Sequence, residues 1–535
     1  MIVQSRNSQN KIILFYLFIA LLFITCIRWR LLDIPLERDE GEYAYMGQLL
    51  LKGYPPFSQA YNMKYPGTSF IYAIFITVFG NTIFAIHFGL ALVNIFNCIL
   101  VFKIVKKVLG QTEGLITSTI FGILALSQPF LGFAAHATHF VLLFALPGFY
   151  YLLKAFDQND NRLFFFAGLL MGVSFIMKQS GIFFILLSVI ILLTFFLRKI
   201  INFKKITLFG NGILFPILTL ILILLISGTF DKFWFWTYTY LTEYGTKITF
   251  SKGIENLSRE LTSYFDTFPI LIILFILGIL FIVLSKNVTN YEKLNFLGFI
   301  LFSFLTVVPG LYFRGHYFIT FLPAFAFGIS FLYHELKNHN KLFKHTHKVV
   351  GILVILGSAQ LIYNQKSYLF QQSVNEISRN IYGINPFIES LPIAKYIQKN
   401  SSPTDKIAIL GSEPQIYYYS DRLSATGYIY TYNLMEPHRY ARQMQDEMIK
   451  EIENNNPKFI IYTTIPTSWL LNEKSNTYIF DWLLPHLSKY YAKVGIIEFT
   501  SQNEVKFAWD SEIDNFIATS RTQIQVFKRI NQGIF

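Results

Sequence analysis

The residues best suited to chemistry lie close together near the start of the chain. Arg38, Asp39, Glu40 and Glu42 fall within five positions, and Lys64 follows in a Lys-Tyr-Pro-Gly turn. A carboxylate can take the proton from an acceptor hydroxyl as a general base. A lysine or arginine can neutralise a phosphate leaving group, where charge grows in the transition state. This cluster therefore predicts attack on a substrate that carries a phosphate.

The same stretch also contains a helical pattern. Tyr43, Met46, Leu49 and Leu50 recur at i, i+3, i+6 and i+7, as in an amphipathic helix that lies in a membrane surface. Taken alone, the stretch also fits a hydrophilic loop with a surface helix, because acidic groups near a membrane are often simply solvated. The rest of the chain has to decide between these interpretations.

The composition indicates a polytopic membrane protein. Of the 535 residues, 53% are hydrophobic and only 14% are charged. The formal net charge of +13 would also suit a nucleic-acid partner, but the lysines and arginines lie in short loops between apolar runs, so we predict none. Cys26 and Cys98 both lie inside apolar runs, which indicates small core residues and no disulfide framework or metal motif.

Eleven apolar runs approach the roughly 20 residues that a membrane span needs. They predict transmembrane helices at 12–29, 83–102, 114–131, 138–153, 163–177, 181–197, 206–227, 268–285, 294–313, 317–333 and 349–363. The first has no small-residue cleavage site after it, so we expect an uncleaved span. The short run 68–79 predicts a re-entrant or interfacial helix. A hairpin is expected to break at 178–181.

The basic residues set the orientation of these spans. With the N-terminus in the cytoplasm, all five loops on that side are basic, as the positive-inside rule requires. They hold Lys103, Lys106, Lys107, Lys154, Arg162, Arg198, Lys199, Lys204, Lys205, Lys286, Lys293, Lys337, Lys341, Lys344 and Lys348. Arg28 and Arg30, at the outer end of the first span, go against the rule.

The opposite face then collects the remaining ionisable residues. Besides the first outer loop, 30–82, it holds His136, His139, Lys178, an aromatic loop at 230–244 and the segment 314–317. Each has an ordinary explanation, such as an interfacial histidine or a lysine that reaches toward the membrane surface. Their shared face predicts a site, since charged groups at span ends are costly unless they face a cavity or one another.

The character of the sequence changes near residue 385. Short apolar segments at 407–410, 459–462, 494–499 and 523–527 alternate with helical stretches such as 437–453. This pattern predicts a small α/β domain. We therefore predict a transmembrane domain at 1–384 and an extracytoplasmic α/β domain at 385–535, on the same side as the site.

The first outer loop also carries a family resemblance. It reads RDEGEYA at 38–44, GYPPF at 53–57 and KYPG at 64–67, and it resembles the GT-C membrane glycosyltransferases. These include bacterial relatives of protein O-mannosyltransferases and of lipid A aminoarabinose transferase. The likeness extends to MKQSG at 177–181, HYF at 316–318, LP at 322–323 and GSEPQIY at 411–417.

The resemblance implies a polytopic α-helical GT-C fold in the bacterial plasma (inner) membrane. It also implies an inverting transfer of a sugar from a polyprenyl-phosphate donor to a lipid, glycan or protein acceptor. Asp39 matches the presumed catalytic base, and Lys64 matches the lysine that contacts the carrier phosphate. Met63 stands where some relatives have an acidic metal ligand, so no metal ligand is named, and a divalent metal ion is left open as a cofactor.

These considerations define a predicted site. Asp39 would be the base, Glu40 would orient it or bind sugar, and Lys64 with Arg314 would hold phosphate. The predicted substrate-binding residues are Arg38, Glu42, Tyr43, Lys64, Tyr65, His136, His139, Lys178, Arg314, His316 and Tyr317.

Two other functions stay open from the residues alone. A transporter or flippase of a lipid-linked saccharide would place ionisable groups near mid-membrane and often shows inverted repeats, and no repeat is visible here. A polysaccharide polymerase or ligase would share the lipid-linked donor. We would expect its large outer loop late in the membrane region, whereas the charge cluster here lies in the first outer loop.

Overall fold

The chain forms a bundle of apolar helices followed by a mixed α/β region. The computed structural model describes residues 2–245, 247–339 and 345–530. The first part contains α1 (Ile2–Arg30), α2 (Arg38–Leu51), α3 (Gly67–Phe79), α4 (Ile83–Val108), α5 (Gln111–Leu124), α6 (Ala137–Gln158), α7 (Asn161–Met177), α8 (Ile182–Leu197), α9 (Phe203–Ile226), α10 (Phe230–Trp234), α11 (Leu241–Gly245), α12 (Phe250–Thr267), α13 (Pro269–Leu284), α14 (Asn290–Leu305), α15 (Leu322–His339) and α16 (Thr346–Asn364).

Each of the eleven predicted runs falls on a helix, but the helices differ in length. Among the described residues, six are long and apolar enough to cross a membrane: α1 from Asn10, α4, α6, α8 with the turn before it, α9 and α16. A seventh results if α12 and α13, which meet at 112°, form one broken span. The number of spans and their orientation stay predictions. The loop residues Lys341 and Lys344 lie outside the described residues.

The run predicted at 114–131 is α-helical only to Leu124 and continues into a 3₁₀ turn at Gln128–Phe130, and a buried arginine explains where α5 ends. Arg28 donates hydrogen bonds to the carbonyl oxygens of Ala125, at 2.9 Å, and Gly132, at 3.0 Å. These carbonyls belong to a turn that no longer continues the helix, so they need partners from elsewhere. The same contacts explain how Arg28, which goes against the positive-inside rule, is accommodated at the end of α1.

The predicted break at 178–181 is present, and it fixes the start of α3. The chain leaves α7 at Met177 and passes through a 3₁₀ turn at Gln179–Gly181 before α8. Thr68 donates from Oγ1 to the carbonyl oxygen of Met177 at 3.0 Å. A Cβ on Gly67 would lie 2.5 Å from the carbonyl oxygen of Ile176, so only glycine allows this approach. The turn that carries Lys64 is thereby held beside Lys178.

The helix predicted in the first outer loop is confirmed as α2. A capping box between Glu37 and Glu40 starts it, and it is buried within the protein along nearly its whole length. Its position at a membrane surface stays a prediction. A Cβ on Gly41 would lie 2.6 Å from the Cβ of Gln415, in the C-terminal region. Among the buried polar side chains of α2, Arg38 and Gln48 find partners in that region, whereas Glu40 and Glu42 are paired with His87 and Lys64. The 230–244 segment, expected as a loop, is helical as well.

The C-terminal region contains a six-stranded mixed sheet. Its strands are β1 (Lys406–Leu410), β2 (Leu423–Ser424), β3 (Phe459–Thr463), β4 (Tyr491–Phe499), β5 (Val505–Trp509) and β6 (Gln523–Arg529), in the order β2-β1-β3-β6-β4-β5. Strands β2, β1 and β3 are parallel, and the remaining pairs are antiparallel. The four predicted strands are confirmed, whereas β2 and β5 were not predicted.

Seven helices accompany this sheet. They are α17 (Val374–Tyr382), α18 (Ser390–Lys399), α19 (Gln415–Ser420), α20 (Tyr432–Met435), α21 (Ala441–Asn455), α22 (Pro466–Trp469) and α23 (Tyr478–Tyr490). Helix α19 packs on α2, where the rings of Tyr45 and Tyr417 stack with centroids 5.0 Å apart. The backbone N–H of Ser424 donates to the hydroxyl of Tyr45 at 2.7 Å. The two parts of the chain therefore share one packed interface around α2.

Candidate functional site

A cavity of about 320 Å³ lies where α2 meets the C-terminal region. This volume is at the lower end of the roughly 300–1,000 Å³ that small-molecule sites occupy. Its walls come from α2, the segment 61–64, the start of α6, the turn 177–180, the segment 236–241, the approach to α15 and the segment 430–436. Segments far apart in the sequence thus meet around one space.

The centre of the cavity is an ion-paired cluster on α2 and the turn after it. The ammonium of Lys64 lies 2.9 Å from Oδ1 of Asp39 and 2.7 Å from Oε2 of Glu42. Its charge also lies 4.7 Å from the ring centroid of Tyr43. The backbone N–H of Lys64 donates to Oδ1 of Asn62 at 2.9 Å, which fixes the turn. One cation therefore serves two carboxylates that are one helical turn apart.

Burial and charge act in opposite directions on this cluster. Burial alone would raise the pKa of Asp39, but the charges of Lys64 and Arg314 together lower it well below its ordinary value. Burial would lower the pKa of Lys64, but Asp39 and Glu42 raise it well above its ordinary value. Both groups are therefore charged at neutral pH.

Glu40 lies behind the cavity wall and does not line the cavity. Its Oε1 lies 2.9 Å from Nε2 of His87 and accepts from the backbone N–H of Ala135 at 2.6 Å. These contacts bring the segment before α6, which carries His136, close to Asp39. Of the two predicted roles of Glu40, its position is compatible with orienting the site and incompatible with direct sugar binding.

Two histidines form a second cluster against Asp39. The rings of His136 and His316 are stacked, with centroids 3.8 Å apart and planes at 11°. Nδ1 of His136 lies 4.0 Å from Oδ2 of Asp39. One atom from each of the three side chains lies within 4.8 Å of the others. Nε2 of His136 and Nδ1 of His316 have no hydrogen-bond partner among the described residues.

This arrangement fits a divalent metal ion. Burial lowers the pKa of His136 to about 4, so its imidazole is neutral and can act as a ligand. Two imidazole nitrogens and a carboxylate are a donor set that suits zinc and similar ions. Sequence analysis named all three residues for the site but not as one ligand set, because only the fold brings them together.

Two further cations line the cavity near this cluster. The ammonium of Lys178 lies 3.8 Å from the ring centroid of Tyr317, and Arg314 lies over the ring of Tyr312 at 5.4 Å. Burial, together with the nearby charge of Lys64, lowers the pKa of Lys178 to about 7. The cavity therefore combines a fixed positive charge at Lys64 with a titratable one at Lys178.

Arg38 does not line the cavity, because its guanidinium is hydrogen-bonded to the C-terminal region. It donates to the carbonyl oxygen of Ser412, to the hydroxyl of Tyr432 at 2.7 Å and to Oδ1 of Asn385 at 3.1 Å. It also forms a buried ion pair with Glu413 at 3.2 Å. These contacts indicate that Arg38 braces α2 next to Asp39, whereas sequence analysis assigned it to substrate binding.

Tyr65 and His139, also predicted to bind substrate, lie outside the cavity lining. The hydroxyl of Tyr65 shares a 2.6 Å hydrogen bond with that of Tyr238, and its ring packs on Phe175. His139 is fully buried in the first turn of α6. The remaining predicted residues line the cavity: Asp39, Glu42, Tyr43, Lys64, His136, Lys178, Arg314, His316 and Tyr317.

Sequence analysis missed the part of the wall that comes from the C-terminal region. Among the residues that line the cavity from this side are Tyr430, Tyr432, Asn433 and Glu436. Trp236 and Tyr240, which also line it, belong to the aromatic loop 230–244 that sequence analysis placed on the same face. The only available signal for the C-terminal part was the run of aromatic residues at 428–432. Nothing in that pattern indicates that this run and the segment 230–244 meet.

Part of the chain matches a known sequence family. Residues 63–237 match the family described as dolichyl-phosphate-mannose-protein mannosyltransferase. This segment includes Lys64, His136 and Lys178, and it leaves out α2. No curated protein sequence matches the chain.

Solved structures with a similar fold cover nearly the whole chain. ArnT from Cupriavidus metallidurans, bound to undecaprenyl phosphate, has a TM-score of 0.56 at 10% identity, covering 95% of this chain and 97% of that one. The oligosaccharyltransferase AglB from Archaeoglobus fulgidus, with an inhibitory peptide and a dolichol-phosphate, has a TM-score of 0.53 at 13% identity, covering 93% and 74%. The Archaeoglobus fulgidus oligosaccharyltransferase in complex with Zn and sulfate has a TM-score of 0.54 at 14% identity, covering 93% of this chain and 73% of that one.

Proposed function

We propose that this chain, which has the fold of the GT-C membrane glycosyltransferases, transfers a sugar from a polyprenyl-phosphate donor to an acceptor. The acceptor would be a lipid, glycan or protein on the extracytoplasmic face of a bacterial plasma membrane. The observation that carries the proposal is the cavity in which Asp39 lies beside Lys64, Lys178 and Arg314. The polyprenyl phosphates in the ArnT and AglB structures support a donor of this class.

The cavity offers the groups that such a transfer needs. Asp39 takes the proton from the acceptor hydroxyl, whose oxygen attacks the anomeric carbon of the sugar. The bond between that carbon and the phosphate oxygen breaks, and its electron pair stays on the phosphate. Lys64, Lys178 and Arg314 neutralise this growing charge. Attack on the face opposite the leaving phosphate inverts the anomeric carbon.

The ion pair between Lys64 and Asp39 also suggests how donor binding prepares the base. In this structure Lys64 stabilises the carboxylate and makes Asp39 a weak base. A donor phosphate competes with Asp39 for the same ammonium. Once Lys64 turns to the phosphate, the pKa of Asp39 rises and the carboxylate can accept a proton. Proton transfer is thereby favoured only when the donor is in place.

The metal centre is a second part of the proposal. Asp39, His136 and His316 would hold a divalent ion, with Oδ1 of Asp39 engaged by Lys64 and Oδ2 directed toward His136. Such an ion would add positive charge next to the phosphate. We expect the purified protein to contain close to one equivalent of metal and His316→Ala to contain almost none, as measured by elemental analysis. An equal metal content in both proteins would refute this ligand set.

The test of the function itself is a transfer assay in detergent with a panel of undecaprenyl-phosphate sugars. We expect turnover with at least one sugar by the native protein, and a loss of roughly 1,000-fold or more in Asp39→Asn, because the amide cannot accept the proton. Asp39→Asn should still bind undecaprenyl phosphate. Near-normal turnover by Asp39→Asn would show that Asp39 is not the base.

A further inference from the structure

The cavity has two walls of different chemistry. One carries the charges already described, at Asp39, Lys64, Lys178 and Arg314. The other, here called the amide wall, consists of Trp236, Tyr240, Asn433 and Glu436 and contains aromatic rings, one amide and one carboxylate. The two walls therefore suit different parts of a ligand.

The aromatic half of the amide wall is rigid. Trp236 and Tyr240 lie one π-helical turn apart, with ring centroids 5.2 Å apart. Trp236 also stacks on Tyr61 at 5.8 Å, with planes at 21°. The hydroxyl of Tyr240 donates to Oε2 of Glu436 at 2.6 Å, which ties this half to the C-terminal region. Two aromatic rings, with planes inclined at 66° to each other, are thus held next to a carboxylate.

The amide half contains a polar atom that lacks a partner. The side chain of Asn433 is more than nine-tenths buried, and its Oδ1 has no hydrogen-bond partner among the described residues. A buried acceptor without a donor is costly, so a cavity-lining amide of this kind indicates a ligand or water that donates to it. The position of Asn433 is fixed, because its backbone oxygen accepts from Nε2 of His438 at 2.7 Å.

The segment that carries Asn433 is itself anchored. The backbone N–H of Thr431 donates to Oγ of Ser412 at 3.0 Å, and its hydroxyl donates to the carbonyl oxygen of Ser468 at 3.2 Å. Thr431 is fully buried. The amide wall is therefore preformed and does not depend on a ligand to assemble it.

We propose that the amide wall binds the neutral sugar ring of the donor, while the opposite wall binds its phosphate. This inference rests on the proposed function and assigns each half of the donor to one wall. Glu436 and Asn433 accept hydrogen bonds from sugar hydroxyls, and the faces of Trp236 and Tyr240 pack against the C–H bonds of the ring. Glu436 is held in place by Tyr240 and by an ion pair with Lys247, and the cations that suit the phosphate line the other part of the cavity. The C-terminal region would then choose which sugar is transferred.

The experiment compares two ligands on the full-length protein in detergent without acceptor. One is undecaprenyl phosphate, and the other is the undecaprenyl-phosphate sugar that the native protein transfers. In the native protein the sugar should raise the affinity at least about tenfold, as two or three well-placed hydrogen bonds allow. In Asn433→Leu and Glu436→Gln the affinity for the sugar-bearing lipid should fall roughly tenfold, and that for undecaprenyl phosphate should stay within about twofold. Asn503→Leu, on an exposed turn of the sheet, is the matched control.

The outcomes separate this inference from the function on which it rests. Unchanged affinity for the sugar-bearing lipid in both variants would overturn the subsite, as would an equal loss of both ligands. So would a native protein that binds undecaprenyl phosphate but gains nothing from the sugar. If the native protein binds neither lipid, the proposed function itself fails. The variants should also have the same thermal unfolding temperature as the native protein, which excludes a general loss of structure.

Discussion

Lys64 and Lys178 line the same cavity, but their surroundings differ. Lys64 lies between two carboxylates, at 2.9 Å from Asp39 and 2.7 Å from Glu42. Lys178 forms no ion pair with any acidic residue in the part of the chain that the structure describes, and it lies over the ring of Tyr317. Their pKa values therefore shift in opposite directions, upward for Lys64 and downward to about 7 for Lys178.

Two lysines that line one cavity can therefore have separate tasks. A lysine that is paired with carboxylates has to exchange its partners when a phosphate binds, so its charge is permanent and its position is controlled. A lysine without a carboxylate gains a partner from the ligand, so its charge depends on pH and on the ligand. We expect Lys64 to be essential and Lys178 to adjust affinity.

Replacing the paired lysine should have the largest effect. Lys64→Met removes the charge that faces the phosphate and leaves Asp39 and Glu42 buried without it. We expect a loss of roughly 100- to 1,000-fold in kcat, as for removal of a group that stabilises charge in a transition state. Transfer assays at saturating donor measure this effect.

The control for this variant is Lys52→Met. Lys52 pairs with Asp421 at 2.7 Å at the end of α2, but both side chains are more than one-third exposed. An exposed pair contributes at most about 1 kcal/mol, so we expect near-native kcat. If Lys64→Met and Lys52→Met lost activity equally, the loss in Lys64→Met could not be assigned to the position of Lys64 in the cavity.

An intermediate effect is expected from the buried ion pair between Arg38 and Glu413, which holds α2 next to Asp39. Glu413→Gln removes the buried carboxylate that faces Arg38. Breaking a buried pair from one side typically costs about 3 kcal/mol, because the other charge is left without its counterion. We expect this decrease in the free energy of unfolding, measured by denaturant titration in detergent, together with a lower kcat.

Glu447→Gln is the control for Glu413→Gln, since Glu447 forms a half-exposed ion pair with Lys232 rather than a buried one. It should change the free energy of unfolding by less than about 1 kcal/mol. Arg38→Met combined with Glu413→Gln should be less destabilising than the sum of the single variants, because no buried charge remains. Strict additivity would mean that the two residues do not act as a pair.

The smallest effect is expected at Lys178, where pH reveals it. Its pKa of about 7 means that the ammonium is charged below this pH and neutral above it. The sugar-bearing donor is a phosphodiester and does not titrate in this range. We expect its KM to rise by up to about tenfold between pH 6 and pH 9, with the change shifted upward if the bound phosphate raises the pKa of Lys178.

Lys178→Arg distinguishes this cause from others. The guanidinium keeps its charge over the whole range, so the KM should stay nearly constant with pH. Lys178→Met should also give a constant KM, at a weaker level. A rise in KM with pH that persists in both variants would assign the titration to another group.

Local sequence patterns predicted most of the elements. Long apolar runs located the helices, and the alternating segments at 407–410 and 523–527 located strands, because both patterns reflect which side chains must leave water. Strand β2 has only two residues, and β5 carries polar and apolar residues with little alternation. Neither contains enough signal to be recognised without its neighbours in the sheet.

Site residues could be predicted only where the residue type and its near neighbours in the sequence already indicate a function. Asp39 and Lys64 stand out because charge is rare in an apolar chain and costly near a membrane. The position of Arg38 depends on a partner 375 residues away, which no periodicity reveals. Likewise, the unpartnered amide of Asn433 is ordinary in the sequence and informative only once its burial is known.

The close contact between Gly41 and Gln415 has a consequence for the order in which the protein matures. The helix that carries Asp39 is synthesised among the first segments, whereas its support is synthesised last, and contacts between such distant segments form late in folding. The helices that are made first therefore hold an unfinished site until the final sheet has folded and docked on α2. A chaperone or protease that recognises the undocked sheet would therefore also distinguish chains with an incomplete site from chains with a complete one.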